Sequence, residues 1–226
     1  MRKLALAALI GAGLTMGGVA AAEQWNDPAG RLTFNAPSGW RVQPQNASGQ
    51  TVVLAFNAAN DCYFFGLPNP NTADRTANDA RNNFEQLAAD DWAAAASPLR
   101  DFFGSGSPSV VSQDVDSSGF WPVQRAELSG GSRPVFGAIL ARPGAEIRAF
   151  CSGSNSAAAY DSIFASLGHP NDATWQGQAT TQAAERAEQE AAAAAAEQEA
   201  AAAAEDEEEA SSETSRPSRD LRRRRN

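Results

Sequence analysis

Lysine is almost missing from this chain of 226 residues, with Lys3 the only one. A Walker-type phosphate loop needs a lysine after its glycines, so that class of nucleotide site is excluded. Histidine is as scarce: His169 stands alone between Gly168 and Pro170. An HExxH zinc pair is therefore impossible, and a Ser-His-Asp or Cys-His site would have to route its proton through that one ring, placed where a helix stops. The plain reading of His169 is a solvated linker residue. Cysteine occurs twice, as Cys62 and Cys151, without a Cys-x-x-Cys pair, which argues against redox chemistry. After residue 22 no run is long and apolar enough to span a bilayer. Excess positive charge is also lacking, the formal net charge being -9, so nucleic acid is not an expected partner.

At the N-terminus, Met1-Arg2-Lys3 is followed by an apolar run from Leu4 to Val19, broken by Gly11, Gly13, Gly17 and Gly18, and then by Ala20-Ala21-Ala22 before Glu23. A charged start, a short apolar run and small residues in that order describe a secretory signal peptide, residues 1–22, cleaved near Ala22. The expected location is periplasmic or secreted, and the mature chain would carry no lysine. In an oxidising compartment an even pair of cysteines is most simply a disulfide, here Cys62 to Cys151. Closing a loop of roughly 90 residues stabilises a fold by about 4 to 5 kcal/mol in the chain-entropy view.

Residues 23–170 are compositionally mixed and make one domain; 171–226 are strongly biased. Arg31 to Phe34 alternates, Pro37-Ser38-Gly39 breaks it, and Trp40-Arg41-Val42 restarts it as strand, turn, strand. Thr51 to Phe56 and Cys62 to Leu67 give two more strands, the second apolar enough for burial on both faces. From Asp74 or Thr76 the pattern turns helical, with Ala77, Ala80, Phe84, Leu87, Ala88, Trp92 and Ala95 on one face up to Pro98, opened by Thr76 with Asp79 three residues on. Four strands follow, Val110–Val115, Val123–Leu128, Val135–Ala141 and Glu146–Cys151, as antiparallel neighbours. Ser154 or Asn155 then caps a helix carrying Tyr160, Ile163, Phe164 and Leu167, ended by Gly168 and Pro170. The fold class is α+β, an antiparallel sheet flanked by two helices.

The run Asp27-Pro28-Ala29-Gly30-Arg31-Leu32-Thr33-Phe34-Asn35-Ala36-Pro37-Ser38-Gly39-Trp40 resembles the opening of PsbP, Mog1 and DcrB-like domains, in which an aromatic strand residue precedes a Pro-x-Gly-Trp turn. The order of elements over roughly 30–168 is similar as well. The resemblance implies a Mog1/PsbP-like α/β/α sandwich around the sheet and a role in binding or assembling other proteins. It carries across no catalytic motif.

Candidate chemistry is sparse. Asp114, Asp116, Ser118 and Gly119 sit at the calcium-loop positions 1, 3, 5 and 6, but Arg125 stands where the bidentate glutamate belongs, so a polar strand end and turn is preferred. Asp90 and Asp91 point about 100° apart on a helix and make no close carboxylate pair. Phe102, Phe103, Phe120 and Trp121 lie at loop edges and are a candidate apolar binding patch. No catalytic, metal or cofactor site is expected.

Residues 171–209 form an Ala/Glu-rich helical extension, since Ala, Glu and Gln all favour helix. It has no Leu, Ile or Val seam for a stable coiled coil, and fraying is expected at the acidic run 205–209. Residues 210–226 are expected to be a disordered basic tail. Its Arg222, Arg223, Arg224 and Arg225 are candidates for weak contact with an anionic membrane surface. The function expected is that of a monomeric, exported, non-enzymatic protein-binding or envelope-assembly domain. The alternative is a small-molecule or lipid-binding periplasmic module, and the third reading an unrecognised hydrolase.

Overall fold

The computed structural model describes residues 22–47, 49–82 and 85–213. The expected signal segment up to residue 21, Phe84 of the expected helix face, and Arg222, Arg223, Arg224 and Arg225 lie outside them. Two compact units divide after Asp172.

The first unit is built on a seven-stranded antiparallel sheet in the order β3-β4-β5-β9-β8-β7-β6. These strands are β3 (Arg41–Ala47), β4 (Gln50–Phe56), β5 (Asp61–Pro68), β6 (Ser109–Asp116), β7 (Val123–Ser129), β8 (Val135–Arg142) and β9 (Ala145–Ser152). Two meanders are thus joined where β5 meets β9. Cys62 stands directly opposite Cys151 in that central ladder, and the two are bonded as a disulfide. The bridge therefore ties the two halves of the sheet together at their seam.

Both faces are covered, which makes the unit an α/β/α sandwich. On one face Val53, Phe64, Leu140 and Ile147 pack beneath Tyr160, Ile163 and Phe164 of the C-terminal helical segment. That segment is shorter than the periodicity predicts: a 3-10 turn, Ala157–Tyr160, precedes α4 (Asp161–Ala165). The Tyr160 hydroxyl accepts from the Ser154 N–H at 2.8 Å and donates to Asn60 Oδ1 at 2.9 Å, which anchors the turn ahead of the helix. On the other face Trp92, Leu99, Phe103 and Phe150 form a second core. β8 runs between the two cores and is the strand buried almost throughout. In β5, expected to be buried on both sides, Cys62 and Phe64 are buried while Tyr63 and Phe65 are only half covered.

The single helix expected from Thr76 to Pro98 is two helices, α1 (Ala77–Asn82) and α2 (Ala89–Ala96), followed by the short α3 (Arg100–Phe103). Thr76 and Asp79 do form the reciprocal cap, with the Asp79 N–H donating to Thr76 Oγ1 at 3.1 Å and the Thr76 N–H to Asp79 Oδ2 at 3.3 Å. The break has a visible cause. The buried Gln124 of β7 accepts from the Leu87 N–H at 2.6 Å and donates to the Glu85 carbonyl at 3.2 Å. Those backbone groups are then no longer available to a continuous helix.

A strand that the sequence reading omits, β1 (Glu23–Asn26), pairs with β2 (Thr33–Ala36) in a separate hairpin. The second unit is the continuation of α5 (Asp172–Glu213), helical through the acidic run where fraying is expected. Within it the Thr180 and Thr181 hydroxyls bond back to carbonyls four residues earlier.

Candidate functional site

The β1–β2 hairpin owes its position to local chemistry. Asp27 closes its loop: its carboxylate accepts from the Ala29 and Arg31 N–H groups at 3.0 and 3.1 Å, and also from the Thr51 hydroxyl of β4. At the other strand, the Phe34 ring stacks on Phe64 of β5 with centroids 4.0 Å apart. Thr33 exchanges both backbone hydrogen bonds with Gly168, at 2.8 and 3.0 Å. The hairpin is therefore fixed over one end of the sheet by bonds at its loop and by packing along its length.

Pro37-Ser38-Gly39-Trp40 then swings the chain from β2 into β3. The Trp40 N–H returns to the Pro37 carbonyl at 3.1 Å, and Gly39 takes a φ of 79°, a conformation that only a residue without Cβ adopts freely. Because β2 and β3 do not pair, a furrow is left between the hairpin and the edge of the sheet. It has two clefts. One, of about 440 Å³, is framed by Trp25 and Trp40 with Pro37 and Val42 below and Glu23 and Gln24 at its rim. The other, of about 530 Å³, lies between Trp25, Pro28 and Arg31 on one side and Pro44, Gln45 and Val52 on the other. Trp25 lines both. Its ring stands 5.4 Å from Phe34, its cross-strand partner, so the indole is held in place while remaining half-buried.

Trp40 belongs to the turn motif read from sequence, but Trp25 is missed there. The available signal was Gln24-Trp25-Asn26 just before the Asp27–Leu32 loop, with Phe34 the same distance beyond it. That symmetry is the mark of a hairpin.

The four aromatic residues do stand at loop edges, and none lines the furrow. Phe102 meets Tyr63 edge-on at 5.3 Å and Phe103 is buried in the second core. Phe120 contacts Trp121 at 4.9 Å and lies under the Arg81 guanidinium at 4.9 Å. Trp121 is itself buried and covers the guanidinium of Arg142 at 4.3 Å.

Arg142 is a second feature that sequence reading passes over. Only 1% of it is exposed, and it donates from Nε and Nη2 to the two oxygens of Asp172. Burial pushes its pKa down while the Asp172 carboxylate pushes it back up. His169 is next to this pair and is half-buried, not the solvated linker residue expected. Its Nδ1 accepts from the Asn171 N–H at 3.1 Å, and burial lowers its pKa below the usual value. The Asp114–Gly119 stretch is closed by its own groups. Asp116 accepts from the Ser118 N–H and hydroxyl and pairs with Arg125 at 3.3 Å, contacts that hold its carboxyl below the usual range.

A third cleft, of about 440 Å³, lies between the 85–88 segment and the sheet and is lined by Arg75, Glu85, Gln124 and Glu146 among others. Glu146 is paired with Arg148. Among the described residues no three His, Cys, Asp or Glu side chains come together as metal ligands would. Also among them, no helix is long and apolar enough to cross a membrane.

No family model and no curated protein matches the chain. It is similar to the solution structure of cyanobacterial PsbP from Synechocystis, with 12% identity over 70% of this chain and 97% of that one and a TM-score of 0.49. It is also similar to a crystal structure from Bacteroides thetaiotaomicron, with 11% identity over 68% of this chain and 50% of that one and a TM-score of 0.37. These are likenesses of fold. The strand order and the helices on each face define the sandwich by themselves.

Proposed function

We propose that this chain is an exported, non-catalytic domain that docks another protein of the cell envelope along the furrow between the β1–β2 hairpin and β3. The observation that carries the reading is the placement of Trp25 and Trp40. Two half-buried indoles line one cleft, Trp25 from a hairpin fixed at its loop and along its length and Trp40 from the end of the turn into β3. Rigid aromatic side chains in a concave site are the residues that dominate binding energy at protein interfaces. The disulfide at the sheet seam suits an oxidising compartment, and the signal-like N-terminus supports the same location. The domain works as a monomer, and Arg222, Arg223, Arg224 and Arg225 add a weak, salt-sensitive contact with anionic lipid headgroups.

The test is cross-linking of the exported chain in intact cells, with the partner identified by mass spectrometry and rebound in purified form. A stoichiometric partner that the wild type retains, and that Trp25→Ala and Trp40→Ala lose, supports the reading. Retention of the same partner by both variants overturns it. A second reading, a small-molecule module, rests on the cleft under the 85–88 segment. Its lining sets Arg75, Glu85 and Gln124 beside Leu87 and Ile139, which suits a small solute with both charged and apolar parts, and native mass spectrometry showing a bound small molecule lost in Gln124→Leu would support it.

A further inference from the structure

Four strands of the domain stand at a sheet edge: β1, β2, β3 and β6. A free edge offers unpaired N–H and C=O groups to another strand, and folded proteins blunt most such edges. β3 carries Pro44, which has no N–H to give, and β6 is irregular between Val110 and Ser112. On β2, Thr33 is bonded to Gly168 through both backbone groups, and the Asn35 N–H donates to Ser166 Oγ at 2.9 Å. β1, Glu23–Asn26, has none of these devices.

The hairpin register shows which groups β1 leaves open. The Asp27 N–H donates to the Leu32 carbonyl at 2.9 Å, one step beyond the opposed Asn26 and Thr33. Bonded and non-bonded pairs alternate in an antiparallel ladder, so Trp25 and Phe34 bond to each other, whereas Gln24 and Asn26 point their N–H and C=O groups away from β2. Among the described residues those groups make no hydrogen bond. They open on the furrow, because β1 is the strand that walls it: Glu23, Gln24 and Trp25 line the clefts, and of β2 only Ala36 does. Side chains alternate too. Trp25 turns to Phe34, while on the opposite face Gln24 Nε2 reaches Asn26 Oδ1 at 3.5 Å. We infer that the occupant is an extended segment of the partner protein that adds to β1 as an antiparallel third strand, bonded to Gln24 and Asn26. The residue opposite Trp25 is then apolar and enters the clefts, and its two neighbours are polar. Strand addition to an exposed edge draws affinity from main-chain bonds and specificity from alternate side chains, and a third strand completes a hairpin that is marginal as a pair. This rests on the docking function proposed above.

The probe is a capped synthetic peptide, Ser-Val-Thr-Val-Thr-Val-Ser, whose central valine is set to face Trp25. It is titrated into the full exported chain while the indole N–H signals of the tryptophans and the amide signals of Gln24 and Asn26 are followed by NMR. The expected result is a saturable shift of the Trp25 indole, with exchange of the Gln24 and Asn26 amides slowed at least tenfold. Methylating one threonine nitrogen removes a donor that faces β1 and should weaken binding at least tenfold. Methylating the central valine nitrogen, which faces away, should change it less than threefold. Gln24→Pro removes an outward N–H while leaving the bonds between β1 and β2 in place, so the Trp25 shift should vanish. The indole signals of the buried Trp92 and Trp121 report whether this variant is folded. No shift, equal or reversed sensitivity to the two methylations, or unchanged binding in Gln24→Pro would overturn the inference. If the cross-linked partner depends on Trp25 and Trp40 but is retained by Gln24→Pro, docking stands and this inference falls. If the partner ignores both tryptophans, both fall.

Discussion

Arg142 Nε lies 2.7 Å from Asp172 Oδ1 in a pair whose arginine is 1% exposed. Nη2 reaches the second oxygen at 3.1 Å, Nη1 donates to the Ala141 carbonyl at 3.0 Å, and the Trp121 ring closes over the top at 4.3 Å. A buried cation held this way depends on its one carboxylate. Removing the partner leaves an uncompensated charge, which costs about 3 to 5 kcal/mol, whereas replacing the cation by an apolar side chain of similar length costs much less. Asp172→Ala should therefore lower the urea midpoint far more than Arg142→Met. Equal losses would show that the pair is not the source of the stability.

His169 beside this pair gives a signed dependence on pH. Its surroundings are Asp172 and Asp27, which raise its pKa, and burial and Arg142, which lower it, with burial the largest. The folded value lies below the unfolded value of about 6.5, so between the two the unfolded chain binds more protons and stability rises with pH. The contribution is complete above about pH 6.5 and is lost as the pH falls towards the folded value. Comparing urea midpoints near pH 7.5 and pH 5.5, the wild type should lose more on acidification than His169→Gln. The same loss in both would remove His169 from the account.

The disulfide makes a prediction of its own. Cys62 and Cys151 are both wholly buried and 89 residues apart in sequence. Reduction should cost about 4 to 5 kcal/mol by freeing the unfolded chain. Cys62→Ala with Cys151→Ala should match the reduced wild type, while the double serine variant should be weaker still, because it buries two hydroxyls among apolar neighbours. Unfolding curves with and without reductant decide it, and a wild type indifferent to reductant would contradict the stabilising role.

Which elements were legible follows from the range of the interactions that make them. The seven sheet strands read clearly because short apolar or alternating runs bounded by turn residues are a local signal, and β4 keeps strict alternation along its whole length. The paired cysteines were legible for a similar reason, since only two exist. The break between α1 and α2 was not, because its cause, Gln124, is 37 residues from the N–H it captures. Nor was the furrow. Trp40 stood out in its turn motif, but Trp25 gains meaning only when β1 folds against Phe34 and the hairpin stays apart from β3. The Phe102, Phe103, Phe120 and Trp121 set looked like a surface group because loop edges are commonly exposed. In the fold Trp121 is instead drawn over a buried arginine that nothing in the local sequence announces.

Gly137 shows how closely α2 is seated on the sheet. It lies in β8 between Phe136 and Ala138, where a β-branched residue would favour the strand. A Cβ built there would stand 2.7 Å from Trp92 Cζ3 and 3.0 Å from Phe150 Cε1, while the Trp92 and Phe150 rings meet edge-on at 6.3 Å. Trp92 is wholly buried, so its ring has no solvent to retreat into. Gly137→Ala should destabilise by about 1 to 3 kcal/mol, the range for overpacking a filled core, against the small gain that alanine normally brings to a strand. The interaction can be isolated in a double-mutant cycle with Trp92→Phe, which removes the clashing ring atoms. If Trp92 is the obstacle, Gly137→Ala should cost less in the Phe background, with a coupling of about 0.5 kcal/mol or more. Strict additivity of the two changes would mean that the space above Gly137 is set by Phe150 or by the backbone, and not by the helix that carries Trp92.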